Sequence, residues 1–169
     1  MQLHLNSIGI GKGIATYFND SYSFLMDVKK VKYQLTMIRS DKQDIINIYR
    51  SAGASSSQLL DDFKSMFDSE RRTLLIGDLN ICFLSEKNHP VLKALARLRF
   101  KQKVQRPTHE LGRLIDYIFI YSPPLIGDAE VEVVQESPYF SDHDLLFVTE
   151  VTHSVIIFLN LHQCDIGFR

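Results

Sequence analysis

Three short clusters hold side chains able to do chemistry, and each adjoins an apolar run. The first is Gly77-Asp78-Leu79-Asn80. Asp78 offers an acceptor carboxylate, and Asn80 an amide that both donates and accepts. The second is Arg113-Leu114-Ile115-Asp116-Tyr117. Asp116 stands between Ile115 and Ile118, where a carboxylate is costly unless something meets it. The third is Ser141-Asp142-His143, at the entrance to the apolar run 145–148. A carboxylate beside an imidazole there suits proton handling or phosphate contact near neutral pH. Taken singly, each cluster has a plainer reading. Gly, Asp and Asn favour turns, Asp116 can pair with Arg113, and Ser-Asp-His can be a polar loop.

Strand ends let side chains converge on one pocket while a sheet holds them still. Residues 11–20, entered through glycines, read as a strand. Residues 33–38, with Leu35, Met37 and Ile38, read as another, and the β-branched run 45–49 as a buried third. A polar turn at 41–44 separates the last two, and the three are expected to form a meander. The period then changes. Leu59, Leu60, Phe63, Met66 and Phe67 fall at helical spacing and form a core-facing stripe. Ser55, Ser56 and Ser57 offer N-cap hydroxyls, and Asp61 and Asp62 suit the positive end of the helix dipole. Residues 73–76 form a short strand broken by Gly77. A second helix opens at Asn88 and Pro90, with Val91, Leu92, Leu95 and Leu98 inward. Residues 101–106 are a basic connection, and 114–121 a strand closed by Pro123 and Pro124. Residues 130–135 alternate as an edge strand with Val131 and Val133 on one face, and 145–151 are a further strand. Helices between strands give an α/β or α+β class around a packed sheet.

A chain of 169 residues bounds one domain. With 45% hydrophobic and 23% charged residues, a packed core is expected rather than disorder. The 19 basic and 20 acidic side chains give a net charge of −1, which argues against a global polyanion-binding field. Nucleic acid is then left to a local patch. Lys101, Lys103 and Arg106, with Arg97 and Arg99 nearby, form one unless they are simply a solvated helix end and loop. No run reaches the ~18 apolar residues of a membrane span, and the N-terminus lacks a secretory pattern. Cys82 and Cys164 have neither zinc spacing nor the number for a disulfide framework, and read as reduced thiols of an intracellular protein.

Taken together, the order Gly-Asp-Leu-Asn, then Arg-Leu-Ile-Asp-Tyr-Ile, then Ser-Asp-His resembles the endonuclease/exonuclease/phosphatase superfamily, the DNase I-like group. Its members include abasic-site repair endonucleases, pancreatic-type deoxyribonucleases, inositol phosphatases and the endonuclease domains of non-LTR retrotransposons. Pro107-Thr108-His109 followed by Gly112-Arg113 is similar to the retroelement branch, as is Asn47-Ile48-Tyr49-Arg50-Ser51 before a helix. The resemblance covers residues 11–151. It implies a partial four-layer αββα sandwich over 1–152, with 153–169 as a tail or one more strand. It implies metal-dependent phosphodiester hydrolysis, foremost by a DNA endonuclease of mobile-element origin. Asp78 would activate or position the attacking water, and Asn80 would orient it or stabilise charge on the phosphorane. Asp116 would orient His143, which would contact the phosphate or share in proton transfer. Tyr49 would touch the phosphate, and Asp142 would hold Mg²⁺ or Mn²⁺. Arg113, Lys101, Lys103 and Arg106 would bind the substrate. DNA is the implied partner, with a reverse transcriptase domain in a longer parent chain and the nucleus as a place of action.

One departure matters. Members of that superfamily carry two further N-terminal strands, one ending in asparagine and one in the glutamate that is the main metal ligand. Residues 1–10 hold neither Asp nor Glu, and His4 and Asn6 lie at no recognisable strand end. The expectation is a domain lacking its N-terminal strands, with weakened metal binding and poor nuclease activity or none. Glu110 and Glu136 are the first residues to test as substitutes for that glutamate. Two other functions stay open: a non-catalytic remnant or binding module of the same fold, and a phosphatase acting on small molecules, because loops choose the substrate.

Overall fold

The computed structural model describes residues 1–9, 12–126, 131–139, 141–150 and 153–158. In chain order the elements are β1 (Gln2–Gly9), β2 (Lys12–Phe18), β3 (Ser23–Lys29), β4 (Tyr33–Arg39), β5 (Gln43–Arg50), α1 (Ser56–Met66) and β6 (Arg72–Asp78). Then follow α2 (Pro90–Arg97), β7 (Lys101–Gln102), β8 (Asp116–Tyr121), β9 (Val131–Glu136), β10 (Leu145–Glu150) and β11 (His153–Phe158). A six-stranded sheet in the order β3-β4-β5-β6-β8-β7 forms the centre. β5 and β6 run parallel, joined through α1, and their other neighbours in the sheet are antiparallel. β1 and β2 form a hairpin, and β9, β10 and β11 a three-stranded sheet with β10 in the middle.

Side chains alternate along a strand, so the pairing register sorts the central sheet into two faces. One face carries Leu35, Ile46, Ile48, Leu75, Tyr117, Phe119 and Tyr121. The helices cover it: Phe67 meets Tyr121 edge-on at 4.9 Å, and Tyr33 donates its hydroxyl to Asp62 of α1 at 2.6 Å. The other face carries Ile38, Ile45, Leu74, Ile76, Ile118 and Ile120. The β1–β2 hairpin lies over it, with Asn47 Nδ2 donating to Thr16 Oγ1 at 3.3 Å. Phe18 of β2 and Leu146 and Val148 of β10 complete the same core. Among the described residues this makes three layers, α, β and β.

Several local expectations change. The meander of 11–20, 33–38 and 45–49 does not form: β2 leaves the central sheet to pair with β1, and β3 takes the place beside β4. β1 alternates in the unexpected sense, because Leu3 and Leu5 point to solvent while Asn6 is buried. The Asn6 amide donates to Leu35 O and Thr36 Oγ1, both at 3.3 Å, which compensates its burial. His4 lies 2.6 Å from Asp27 and stacks on Phe24, so both residues hold the hairpin in place. Asp44 belongs to β5 and not to a turn, fully buried and paired with Arg39 and Arg71. Ser55 is the N-cap of α1, which puts Asp61 and Asp62 in its middle and not at its positive end. His89, not Asn88, caps α2 ahead of Pro90. β8 starts at Asp116, leaving Leu114 and Ile115 buried in the preceding loop. Cys82 is a buried free thiol. Gly11, Glu130, Val151, Cys164 and the rest of 159–169 lie outside the described residues.

Candidate functional site

Tyr49, Asp78 and Asp116 stand side by side on three adjacent strands. β5 pairs Tyr49 with Asp78, and β8 pairs Asp116 with Asp78, so the three share the face beneath the hairpin. The row continues into β4 at Gln34, whose fully buried amide has no hydrogen-bond partner among the described residues. Gly77 permits this close alignment. Its φ is +135°, and a Cβ there would sit 1.9 Å from the Ile48 carbonyl oxygen. Only glycine lets β5 and β6 close up immediately before Asp78.

Past Asp78 the chain turns through Asn80, at φ +49°, a left-handed conformation that asparagine tolerates. The Asn80 backbone N–H donates to Asp78 Oδ1 at 2.6 Å, and its Nδ2 donates to Asp78 Oδ2 at 2.8 Å and to Arg50 O at 3.0 Å. Both oxygens of the buried carboxylate are thereby oriented. Arg50 clamps the turn from beneath, donating to Leu79 O at 3.0 Å and Ala54 O at 3.1 Å. Burial lowers its pKa, partly opposed by Glu86 and Asp78. Leu79 N donates to Ile115 O and Phe83 N to Leu114 O, which ties this loop to the second cluster.

Asp116 is held in turn by Thr108. The fully buried Thr108 hydroxyl accepts from Ile115 N at 3.2 Å and Asp116 N at 3.1 Å. Asp116 Oδ2 lies 2.9 Å from His143 Nδ1 inside the protein, and a carboxylate can only accept, so Nδ1 carries the proton. Chemistry at a substrate then falls to Nε2. Burial works to lower the His143 pKa, but the hydrogen bond and charge of Asp116, followed by Asp78 and Asp142, outweigh it, and the net direction is upward. Tyr49 is buried as well. Burial, then the charge of Asp78, raises its pKa and keeps it a hydroxyl donor.

The third cluster is clipped over the second. Asp144 N donates to Thr108 O at 2.8 Å and Glu110 N to Asp142 O at 2.9 Å. His143 N donates to Ser141 Oγ, and Gln135 Nε2 bonds both Asp144 Oδ2 and Pro107 O. Two groups of potential ligand atoms result, each with its members within 4.8 Å of one another: Asp78, Asp116 and His143, and His109, Asp142 and His143. The Asp142 side chain is 47% exposed, so its carboxylate faces water as the Asp78 carboxylate does not. Oxygen donors flanking one imidazole fit a hydrated hard divalent cation.

The structure thus brings Tyr49, Asp78, Asn80, Asp116, Asp142 and His143 to one end of the strands. The cations lie differently. Arg113 is half-buried in the turn whose backbone carbonyl receives Thr108 N and His109 N. Arg106 reaches Gln135 O at 3.5 Å, and with Lys103 it lines a groove floored by Val104, Val131 and Val133. Lys101 sits on the edge strand opposite Ile120. At 3.2–3.4 Å per residue that is about 13 Å along β8 from Asp116. Glu110 and Glu136 are exposed, and neither enters the two convergent groups. Thr108, Arg50, His109 and Gln135 were not predicted as site residues; they act through side-chain contacts that sequence spacing does not show.

No protein-family profile and no curated protein matches this chain. Among solved structures, the endonuclease domain of TRAS1, a telomere-specific non-LTR retrotransposon, aligns at a TM-score of 0.62 and 13% identity, covering 96% of this chain and 79% of that one. An endonuclease/exonuclease/phosphatase family protein from Leptotrichia buccalis C-1013-b aligns at 0.51 and 15% identity, covering 88% and 70%. The chain has the endonuclease/exonuclease/phosphatase, or DNase I-like, fold.

Proposed function

We propose that this chain, built on the endonuclease/exonuclease/phosphatase fold, is a metal-dependent phosphodiester hydrolase acting on DNA, an endonuclease domain of mobile-element origin. The observation that carries the reading is the convergence of Asp78, Asp116 and His143 at one strand end, with His143 held through Nδ1. A phosphodiester in that space would meet donors and acceptors in complementary places. With the ring protonated, a state its raised pKa favours, His143 Nε2 donates to a phosphate oxygen and withdraws charge as the reaction proceeds. Asp116 accepts from Nδ1–H and fixes the direction of the ring. Asp78 accepts a proton from the attacking water, and Asn80 fixes the direction of that carboxylate. Tyr49 donates to a second phosphate oxygen. Asp142 would hold Mg²⁺ or Mn²⁺, which when bound would supply charge neutralisation at the phosphate. Arg113, Lys103 and Arg106 contact the flanking backbone, with Lys101 farther out.

DNA as substrate and the retroelement context are supported by the likeness to the TRAS1 domain and by Pro107-Thr108-His109. The same reading carries a reverse transcriptase domain in a longer parent chain and action in the nucleus. Among the described residues no helix is long and apolar enough to cross a membrane. Both convergent groups contain aspartate and histidine but no glutamate. The chain by itself is therefore proposed to bind metal weakly and to turn over slowly. The same observation favours a second reading, a binding module that keeps the fold without hydrolysis. Nicking of supercoiled plasmid with Mg²⁺ or Mn²⁺ tests both. Slow nicking abolished by Asp78→Ala and His143→Ala supports the hydrolase. DNA binding with no nicking in either metal supports the binding module.

A further inference from the structure

We infer that His109 is a positioning residue that holds Asp142 toward His143, and that it does so as a proton donor and not as a metal ligand. The inference rests on the metal-dependent reading above and concerns one residue that reading does not use. His109 Nε2 lies 3.4 Å from Asp142 Oδ2, at ion-pair distance, and its side chain is only 13% exposed. Its ring meets the His143 ring edge-on with centroids 4.8 Å apart. The backbones of His109 and His143 form a β-bridge, and Glu110 N donates to Asp142 O, so the two loops are tied together.

The decisive contact is on the other ring nitrogen. Leu111 N–H points at His109 Nδ1 at 3.1 Å, so Nδ1 is the acceptor. A neutral imidazole has one acceptor and one donor nitrogen, which places the proton on Nε2. A metal ligand must present a lone pair, and Nε2 in this tautomer has none to offer. The protonated nitrogen is instead the one beside Asp142, 3.4 Å from Oδ2. That arrangement gives the half-exposed Asp142 side chain a fixed direction, which water alone would not. Leu111 thus sets the tautomer of His109 just as Asp116 sets that of His143, with opposite results: His143 directs Nε2 to chemistry, and His109 directs Nε2–H to a carboxylate.

Two substitutions separate this role from a purely structural one. Glutamine places an amide donor near the position of Nε2 but gives Leu111 N–H no equivalent acceptor. Asparagine can accept from Leu111 N–H and cannot reach Asp142. The probe is Mn²⁺ binding to the whole chain, read by the loss of free-ion electron paramagnetic resonance, alongside thermal unfolding of each variant. The expected result is that His109→Asn weakens Mn²⁺ binding by about tenfold or more, the range for lost outer-sphere partners, with its melting temperature kept. His109→Gln should restore most of the binding. If Asn binds like wild type and Gln does not, the ring serves only the Leu111 turn and the inference is overturned. If both variants lose binding and the wild-type spectrum shows two coordinated imidazoles, His109 is a ligand and the inference is likewise overturned. Wild type that binds no Mn²⁺ would overturn the metal-dependent reading itself, and the inference with it. Tight wild-type binding left unchanged in both variants would remove His109 alone.

Discussion

The buried Thr108 hydroxyl holds the Asp116 backbone, so Thr108→Val is a sharp structural test. The side chains have nearly the same shape, and the exchange removes only the oxygen. That oxygen accepts two buried donors, Ile115 N at 3.2 Å and Asp116 N at 3.1 Å. A buried donor left without its partner costs about 1–3 kcal/mol, so the pair sets a loss of roughly 2–6 kcal/mol. Small domains are stable by about 5–15 kcal/mol, so the variant should lie much nearer the unfolding threshold. Thr108→Ser keeps the hydroxyl, loses one methyl, and should stay well above the Val variant. Urea denaturation of the three proteins, fitted with a common slope, measures the differences. A second consequence is local. With Asp116 released, the His143 ring should lose its single orientation, seen as broadening of its resonances in the folded Val variant. If Val matches Ser within about 0.5 kcal/mol, the size of an ordinary surface change, the two donors do not depend on Thr108 and the positioning argument fails.

The remaining predictions address the same row of residues. In metal-free protein His143 should titrate above its ordinary value of about 6.5, and Asp116→Asn should bring the midpoint down, as followed by ring carbon–proton NMR. A folded pKa raised above the unfolded one contributes stability that is complete below about pH 6.5 and lost as pH rises through the folded value; wild type should therefore lose more stability over that window than Asp116→Asn, and equal slopes would count against the pair. Gly77→Ala should fail to fold or lose more than about 4 kcal/mol, because the new Cβ meets Ile48 O at 1.9 Å; a melting temperature near wild type would refute the strand-closure argument. Asp142→Ala should weaken Mn²⁺ binding by calorimetry about tenfold or more while hardly changing the melting temperature, since that side chain is 47% exposed; unchanged binding would exclude it as a ligand.

The residues that converge were legible because each sits where two local signals meet. Asp78 and Asn80 follow the apolar run Leu74-Leu75-Ile76, Asp116 interrupts one, and Asp142 and His143 precede one. A polar residue beside such a run is either a turn or a site, and the expense of burying Asp116 already demanded a partner. His143 meets that demand at 2.9 Å. The groups that hold these residues were illegible for the converse reason. Arg50 acts on Leu79, Thr108 on Asp116, and Gln135 on Asp144, at separations no periodicity encodes. The basic patch divides in the structure. Lys101, Lys103 and Arg106 are close in sequence, but a two-residue strand puts Lys101 on the sheet edge while Lys103 and Arg106 turn into the groove beside β9.

The hairpin shows a deeper limit of pattern reading. Alternation predicts which residues share a face, but assigning that face to the core assumes that the apolar set goes inward. In β1 the polar set goes inward: Asn6 is 3% exposed and Leu5 64%. The inversion is tolerable because Asn6 reaches a carbonyl and a hydroxyl on β4 that would otherwise lie buried beneath the hairpin. The same face of the central sheet carries Gln34, Thr36 and Asn47 as well as Tyr49, Asp78 and Asp116. It is thus a polar seam between two β layers, unlike the aromatic face under the helices. A seam of that kind needs polar cover, and Asn6 and Thr16 supply it over Thr36 and Asn47. One residue row farther along, that of Gln34, Tyr49, Asp78 and Asp116, the Ser-Asp-His loop meets Asp116 through His143. The candidate site is where the polar seam reaches the end of the strands, so the inverted hairpin and the buried carboxylates are consequences of one feature of the sheet.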